Sequence, residues 1–414
     1  MLKRTILPLC VFSYLGLSSS VYADSKNKSK IDTTKGVYLF GDNTNGLISK
    51  ESKPVIKEPC PVAYFNTKKV TSLAVSPVLA VASLHNGDVV QWTNPENQQI
   101  VLKRKNVSKL LVTPKTSNVL ALSKNGDIWF WGSESNPEKM KLAEKLGWFE
   151  KVTDISCGVN HLAALTNKGR VLTGFVNPKT STDIDIGETY GQLGLASFPY
   201  FEPVKKESLN TLFPVKLLTE KVSQVACGQY HTLFLTNNKS MYGTGSNQHG
   251  QLMLPYTFKN MKQNVPVKLS ENVGSVAAGA EVTVFSTADP SASWFVAGDG
   301  QYGQFGTGSL SNCQITPLKI MKLDNHVEYN EDLHKVTRMA IDTWSIGATH
   351  IFARMNNAAE DWFSWGSSEK GQLGTNKLSK LVYPTPVASY MDQLAHTKSL
   401  TFVAGDKISG CYYK

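Results

Sequence analysis

The chain has 414 residues, 41% hydrophobic and 18% charged, which excludes a disordered or collagen-like polymer and leaves enough apolar side chains for a sizeable core. Its formal charge is +10, from 43 Lys and Arg against 33 Asp and Glu, yet only five of the 43 are Arg. Arg is the side chain that forks onto phosphates and guanine edges, so this basicity argues against sequence-specific nucleic-acid binding.

At the amino terminus, Lys3 and Arg4 precede an uncharged stretch over residues 5–23, most apolar over 6–17. A basic start, a short apolar core and the small-residue end Val21-Tyr22-Ala23 describe a secretory signal peptide. The same stretch just reaches the length of a membrane-spanning helix. The lack of any acidic residue before Asp24 also fits a mitochondrial address. Residues 1–23 are therefore read as a targeting signal or membrane anchor, and the residues alone favour secretion. Residues 24–35 form a polar, lysine-rich tether. Residues 26–105 hold 12 basic and 6 acidic side chains, a surplus of +6 that suits a solvated surface or a site for acidic lipid or RNA.

Internal repeats dominate the rest. The clearest unit is VSQVACGQYHTLFLTNNKSMYGTGSNQHGQL, residues 222–252. Copies begin at Val152, Val273 and Val336, and two looser ones at Val70 and Val107. Each unit has an alternating apolar run, a turn, a second run, a polar Asn- or Gly-bearing turn and a third run. Period-two patterning with such turns means antiparallel strands in hairpins. Four strands per repeat at this spacing is the signature of a β-propeller. Residues 36–48 match only the second half of a repeat, and residues 400–413 only the first. Six whole repeats and two complementary halves make seven blades. Residues 37–40 are thus expected to share a sheet with strands from residues 400–413, a closing blade that removes exposed sheet edges. The fold class is all-β, with the propeller spanning residues 36–414.

The recurring Cys/Ala-Gly-x-x-His, Leu-Thr-Asn-x-Gly, Trp-Gly and Gly-Gln-Leu-Gly resemble the repeats of the regulator of chromosome condensation family. The resemblance covers about residues 36–414, and Gly-Gln-Leu-Gly is absent from the first two full repeats. It implies a seven-bladed propeller closed by both ends of the chain. A propeller of this kind behind a targeting segment looks like the fungal mitochondrial member of the family. That likeness implies a mitochondrial inner-membrane protein supporting assembly of respiratory-chain or ribosomal complexes.

Several constellations bear on chemistry. Gly298-x-Gly300-x-x-Gly303 matches a dinucleotide fingerprint, but it falls in repeat phase and no helical pattern follows it. Cys157 with His161, and Cys227 with His231, have a metal-like spacing, but they occupy equivalent positions of different blades. Both cysteines are expected to be small buried packers, and His161, His231 and His350 to hydrogen-bond to backbone near a turn. Trp131 and Trp365, with Tyr38, Tyr242 and Phe295, should pack between blades. Residues 136–150 suggest a short helix. The repeat is interrupted between Gly174 and Gly191 by an insertion carrying Asp183, Asp185 and Glu188 beside Lys179, the best candidate for a binding loop.

No nucleophile elbow, zinc-protease motif or phosphate loop occurs. The expectation is a non-enzymatic protein-interaction scaffold, with no catalytic, cofactor or metal residues. Its expected partners are proteins: respiratory-chain assembly intermediates or a small GTPase. Membrane association is expected through residues 5–23. The competing readings are a guanine-nucleotide exchange factor, a secretory-pathway binding propeller and an RNA-binding propeller using residues 26–105.

Overall fold

Alternating Val, Leu, Ile and Phe favour a pleated strand whose two faces can both be covered by neighbouring sheets. In the computed structural model, which describes residues 36–177, 189–196, 209–289, 292–324, 327–330, 334–357, 360–389, 391 and 400–413, these runs build seven blades. All lie within the unit Thr33–Lys414. Blade 1 is Val70–Val75, Ala80–Leu84, Val89–Trp92 and Gln99–Leu102; blade 2 is Val107–Val112, Val119–Ser123, Ile128–Trp131 and Glu138–Lys139. Blade 3 is Val152–Cys157, His161–Thr166, Val171–Phe175 and Thr211–Pro214, extended by Lys141–Leu142 in parallel. Blade 4 is Val222–Cys227, His231–Thr236, Met241–Ser246 and Lys262–Ser270; blade 5 is Val273–Gly279, Val282–Thr287, Trp294–Gly298 and Gln314–Lys319. Blade 6 is Ile341–Ile346, His350–Met355, Trp362–Gly366 and Leu381–Pro386.

Blade 7 closes the ring as expected. Its order is Leu400–Ala404, Ile408–Tyr413, Val37–Asp42, Val55–Pro61. The seam pairs Val37 with Tyr412 and runs to Gly41 with Ile408, antiparallel. All six residues of Val37–Asp42 and all six of Ile408–Tyr413 are buried.

The second strand of most blades is buried on both faces, because it is sandwiched between two other blades. This explains why those runs read as almost continuous apolar sequence rather than a strict alternation. Trp131 and Trp365 are fully buried between blades, as expected. Trp131 Nε1 donates to Gln91 Oε1 of blade 1 at 2.6 Å, and Trp365 Nε1 to the Gln304 carbonyl of blade 5 at 2.7 Å. Tyr38 is buried too, whereas Tyr242 and Phe295 are half-buried.

Two expectations are corrected. The sixth blade starts at Ile341, not Val336; Val336 lies in a separate hairpin, Val327–Asn330 with Lys335–Arg338. Val336 mimicked a repeat start because Val336-Thr337 resembles the Val-Thr and Val-Ser pairs that open Val152–Cys157 and Val222–Cys227. Residues 136–150 form no helix. Met140 is buried, but the chain is extended there to pair Glu138 with Phe130 and Lys141 with Thr211. Strand edges offered more backbone partners than one turn of isolated helix could.

The topology gives the ring two different faces. One carries the turns between first and second strands and the long connections between third and fourth strands; it is called the loop face. The other carries the tight second-to-third-strand turns and the links between blades; it is called the turn face. The expected signal or anchor at residues 1–23 and the tether at 24–35 lie outside the described residues. Among the described residues no helix is long and apolar enough to cross a membrane.

Candidate functional site

The first strands of all seven blades converge on the ring axis. Their ends line a cavity of ≈ 240 Å³, from Val75 in blade 1 round to Ala404 in blade 7. Cys157 and Cys227 lie on its wall. Cys227 is buried, while Cys157 is half-buried rather than fully enclosed. Burial pushes both thiols up, Cys227 to about 11. Zinc ligation and nucleophilic attack need the thiolate, which these surroundings disfavour. Among the described residues no group of three or more His, Cys, Asp or Glu side chains is placed to hold a metal ion.

The histidines have a different partner from the one expected. His161 Nε2 lies 3.0 Å from Thr232 Oγ1, His231 Nε2 3.1 Å from Thr283 Oγ1, and His350 Nε2 2.7 Å from Ser409 Oγ. Each partner is a hydroxyl of the next blade, not a backbone group of the same turn. Each hydroxyl also donates to a backbone carbonyl at 2.7 Å, that of Gln192, Gln251 or Gln372 respectively. A hydroxyl has one hydrogen to give. The imidazole Nε2 must therefore donate, which fixes the neutral tautomer with a bare Nδ1. Burial drives all three imidazoles down to about 3. The glycine of each Gly-x-x-His leaves room for this ring: a Cβ on Gly158 or Gly228 would sit 2.2 or 2.0 Å from the histidine Cε1. The motif is a staple between blades.

The rim of the cavity on the loop face, over blades 2 to 5, gathers the groups that the staple leaves over. Tyr190 and Tyr230 pack with ring centroids 4.9 Å apart. Lys262 Nζ stands 4.5 Å over Tyr190 and Lys115 Nζ 5.3 Å over Tyr230. Such cation–π contacts hold the ammonium groups at the rim. Glu281 is half-buried and bonded by the Gln251 amide at 2.5 Å. Burial raises its carboxyl to about 7, against the pull of His249, Lys115 and Gln251. Across the axis Asp406 is also raised, by burial, against the pull of Lys407 and Lys115. Perturbed carboxyls gathered in a concavity mark a candidate binding site. Glu281 contacts an amide rather than a nucleophile, so this geometry suits recognition through hydrogen bonds and charge.

This cluster was not singled out in the sequence. Glu281 occupies the slot just before Val282, where other blades place the residue preceding His, and nothing local distinguishes it. The interrupted repeat leaves the described chain after Asn177 and returns at Thr189, next to Tyr190. Asp183, Asp185, Glu188 and Lys179 lie outside the described residues. Gly298 ends the strand Trp294–Gly298 with φ of +112°, Gly303 lies in the turn beyond it with φ of +91°, and no α-helix follows. A Cβ on Gly298 would meet the Glu281 carbonyl at 2.1 Å, so that glycine serves close strand approach.

Residues 187–235 and 222–251 match models of the regulator of chromosome condensation (RCC1) repeat. Residues 187–251 of this seven-bladed propeller thus carry RCC1 repeats. The chain is 24% identical over 291 residues to the mitochondrial protein FMP25 of Saccharomyces cerevisiae, covering 63% of this chain and 46% of that one. The chain thus spans about half the length of that relative. It is 23% identical over 354 residues to the mitochondrial RCC1 domain-containing protein RUG3 of Arabidopsis thaliana, covering 78% of this chain and 73% of that one. The expectation of a mitochondrial protein agrees with the names of both. Among solved structures, human WBSCR16 superposes with a TM-score of 0.68 at 17% identity, covering 92% of this chain and 99% of that one. Prp20p of Saccharomyces cerevisiae superposes at 0.64 and 16%, covering 92% of each. Both share the propeller fold described above.

Proposed function

We propose that this RCC1-repeat propeller is a non-enzymatic protein-interaction scaffold that works in mitochondria and supports assembly of respiratory-chain or ribosomal complexes at the inner membrane. The observation that carries the scaffold reading is the rim of the axial cavity, where Lys115 and Lys262 sit on paired tyrosines with half-buried Glu281 on the same side and Asp406 across the axis. A rigid ring that presents such a cluster can hold a partner segment without any chemistry. The two mitochondrial relatives support the compartment.

The test is affinity capture of a carboxy-terminally tagged chain from mitochondria, compared with Lys115→Glu plus Lys262→Glu. Native gels of respiratory complexes and ribosome profiles are read in the same cells. The expected result is one set of assembly intermediates captured by the parent chain and lost with the double variant. Recovery of the intact chain from the secretory pathway would overturn the proposal.

A second reading is guanine-nucleotide exchange on a small GTPase. The length of the connection between Asn177 and Thr189, which returns next to Tyr190 at the rim, supports it. Deleting residues 180–189 would then abolish nucleotide release from a purified GTPase. Release unchanged by the deletion would remove this reading.

A further inference from the structure

We infer that the turn face of blades 2 to 4 is a docking surface for an anionic membrane, with Trp148 and Phe149 as the inserted anchor. This inference stands apart from the rim on the loop face. It concerns the folded ring rather than residues 5–23.

Trp148 is 86% exposed and Phe149 89%, adjacent in the link between blades 2 and 3. Their ring centroids are 6.4 Å apart, so they form one apolar tip. Soluble proteins seldom display two neighbouring large aromatics so fully. The turn that displays them is fixed. Glu150 N donates to the Gly147 carbonyl at 3.0 Å, and Gly147 N to Glu150 Oε2 at 3.0 Å. Glu150 Oε1 also accepts from Thr166 Oγ1 and Arg170 Nε, each at 2.8 Å. Asn167 Nδ2 donates to the Phe149 carbonyl at 2.9 Å, and Phe149 has φ of +58°. A non-glycine residue in the left-handed region costs energy, so these bonds hold the tip out against an unfavourable backbone.

Basic side chains outnumber acidic ones around the tip. The turn of blade 2 brings Lys124, whose carbonyl accepts from Lys151 Nζ at 3.0 Å. The turn of blade 3 brings Lys168 and rests against Lys221, and Lys145 sits in the same link as the tip. Three of the acids close by are already engaged, Asp127 with Lys139, Glu144 with Lys216 and Glu150 with Arg170, and Glu220 beside Lys221 is half-buried. Trp prefers the headgroup level of a bilayer, and lysines around it are drawn to acidic headgroups. A single aromatic tip binds weakly by itself, so the two features act together. RNA fits less well. The tip projects instead of forming a groove, and the nearest guanidinium, Arg170, is committed to Glu150.

The test uses the full chain and flotation with phosphatidylcholine vesicles, with and without phosphatidylglycerol. Binding should require the anionic lipid and fall with salt. Trp148→Ser plus Phe149→Ser should lower it about tenfold or more, since each ring loses its burial. Phe258→Ser, 95% exposed on the loop face, should leave it unchanged. Brominated acyl chains should quench Trp fluorescence in the parent chain, and Trp148→Phe should remove that quenching. Thermal melting checks that each variant is folded. Vesicle binding without Trp148 quenching would assign the contact to another part of the chain and overturn the inference. No preference for anionic lipid would overturn it too, as would single-stranded RNA binding that the same double variant abolishes in the absence of vesicle binding.

Discussion

Seven equivalent positions open the second strands of the blades, and His stands at three of them, 161, 231 and 350. The next residue in the following blade is Thr232, Thr283 and Ser409 respectively. Where the position holds Ala80, Val119, Val282 or Ile408, the following blade offers Leu120, Leu162, Ile351 or Val81, with no hydroxyl. The hydroxyl therefore exists only where a histidine needs it. Thr232→Val should leave the buried His161 Nε2–H without an acceptor and cost about 1–3 kcal/mol in urea unfolding. Thr232→Ser should cost much less; equal costs would discard the staple. The same histidines set an acid limit. Their native value of about 3 lies below the ordinary 6.5, so unfolded chains take up protons first as pH falls. Stability present above pH 6.5 is lost toward pH 3, by about 1.4 kcal/mol per pH unit for each histidine. Glu281 runs the other way. Raised from 4.5 to about 7, it contributes stability below pH 4.5 that is lost as pH rises through 7. Glu281→Gln should gain on the order of 1–3 kcal/mol at pH 8 and nothing at pH 4. Melting curves across pH decide both, and a parent chain with flat stability from pH 7 to 5 would count against buried neutral histidines.

At the scale of the strand and turn, the motif Gly-x-x-His is a packing solution. The histidine ring needs the surface of the glycine Cα, and the glycine amide bonds the histidine carbonyl at 3.0 Å in blade 3 and 2.9 Å in blade 4. Gly228→Ala would place a Cβ 2.0 Å from His231 Cε1 and 2.6 Å from the Ala280 carbonyl. The loss should exceed about 2 kcal/mol, as for overpacked cores, and His231→Ala in the same chain should recover part of it. A Gly228→Ala chain that melts with the parent would refute the packing account. Elements like this one were legible because they recur: strand, turn and glycine signals repeat in phase, and seven blades follow from counting. The helix expected over 136–150 failed because an isolated apolar triplet cannot report which sheet edge lies within reach. The rim cluster and the Trp148–Phe149 tip were not legible for a related reason. Lys115, Tyr190, Tyr230 and Glu281 belong to different blades, and only the closed ring brings them together.

The ring as a whole depends on its seam. Val37–Asp42 is buried at every residue, and it pairs with Ile408–Tyr413 on one side and Val55–Pro61 on the other. Without it, blade 7 would keep two strands and expose a long apolar edge to solvent, a template for aggregation. The seam also carries a staple, since Ser409 accepts from His350 and donates to the Gln372 carbonyl. Blades 6 and 7 are thus tied through the same residue that sits on the closing strand. A chain lacking residues 36–61 should therefore lose single-step unfolding and aggregate on heating. A peptide of residues 36–61 added in trans should restore one cooperative transition, because most of its partner surface is formed by the rest of the ring. The melting temperature of that complex should rise with peptide concentration, as mass action requires. A shortened chain that melts in one step at the parent temperature would mean that closure contributes little, and that six blades suffice to hold the rim and the turn face in place.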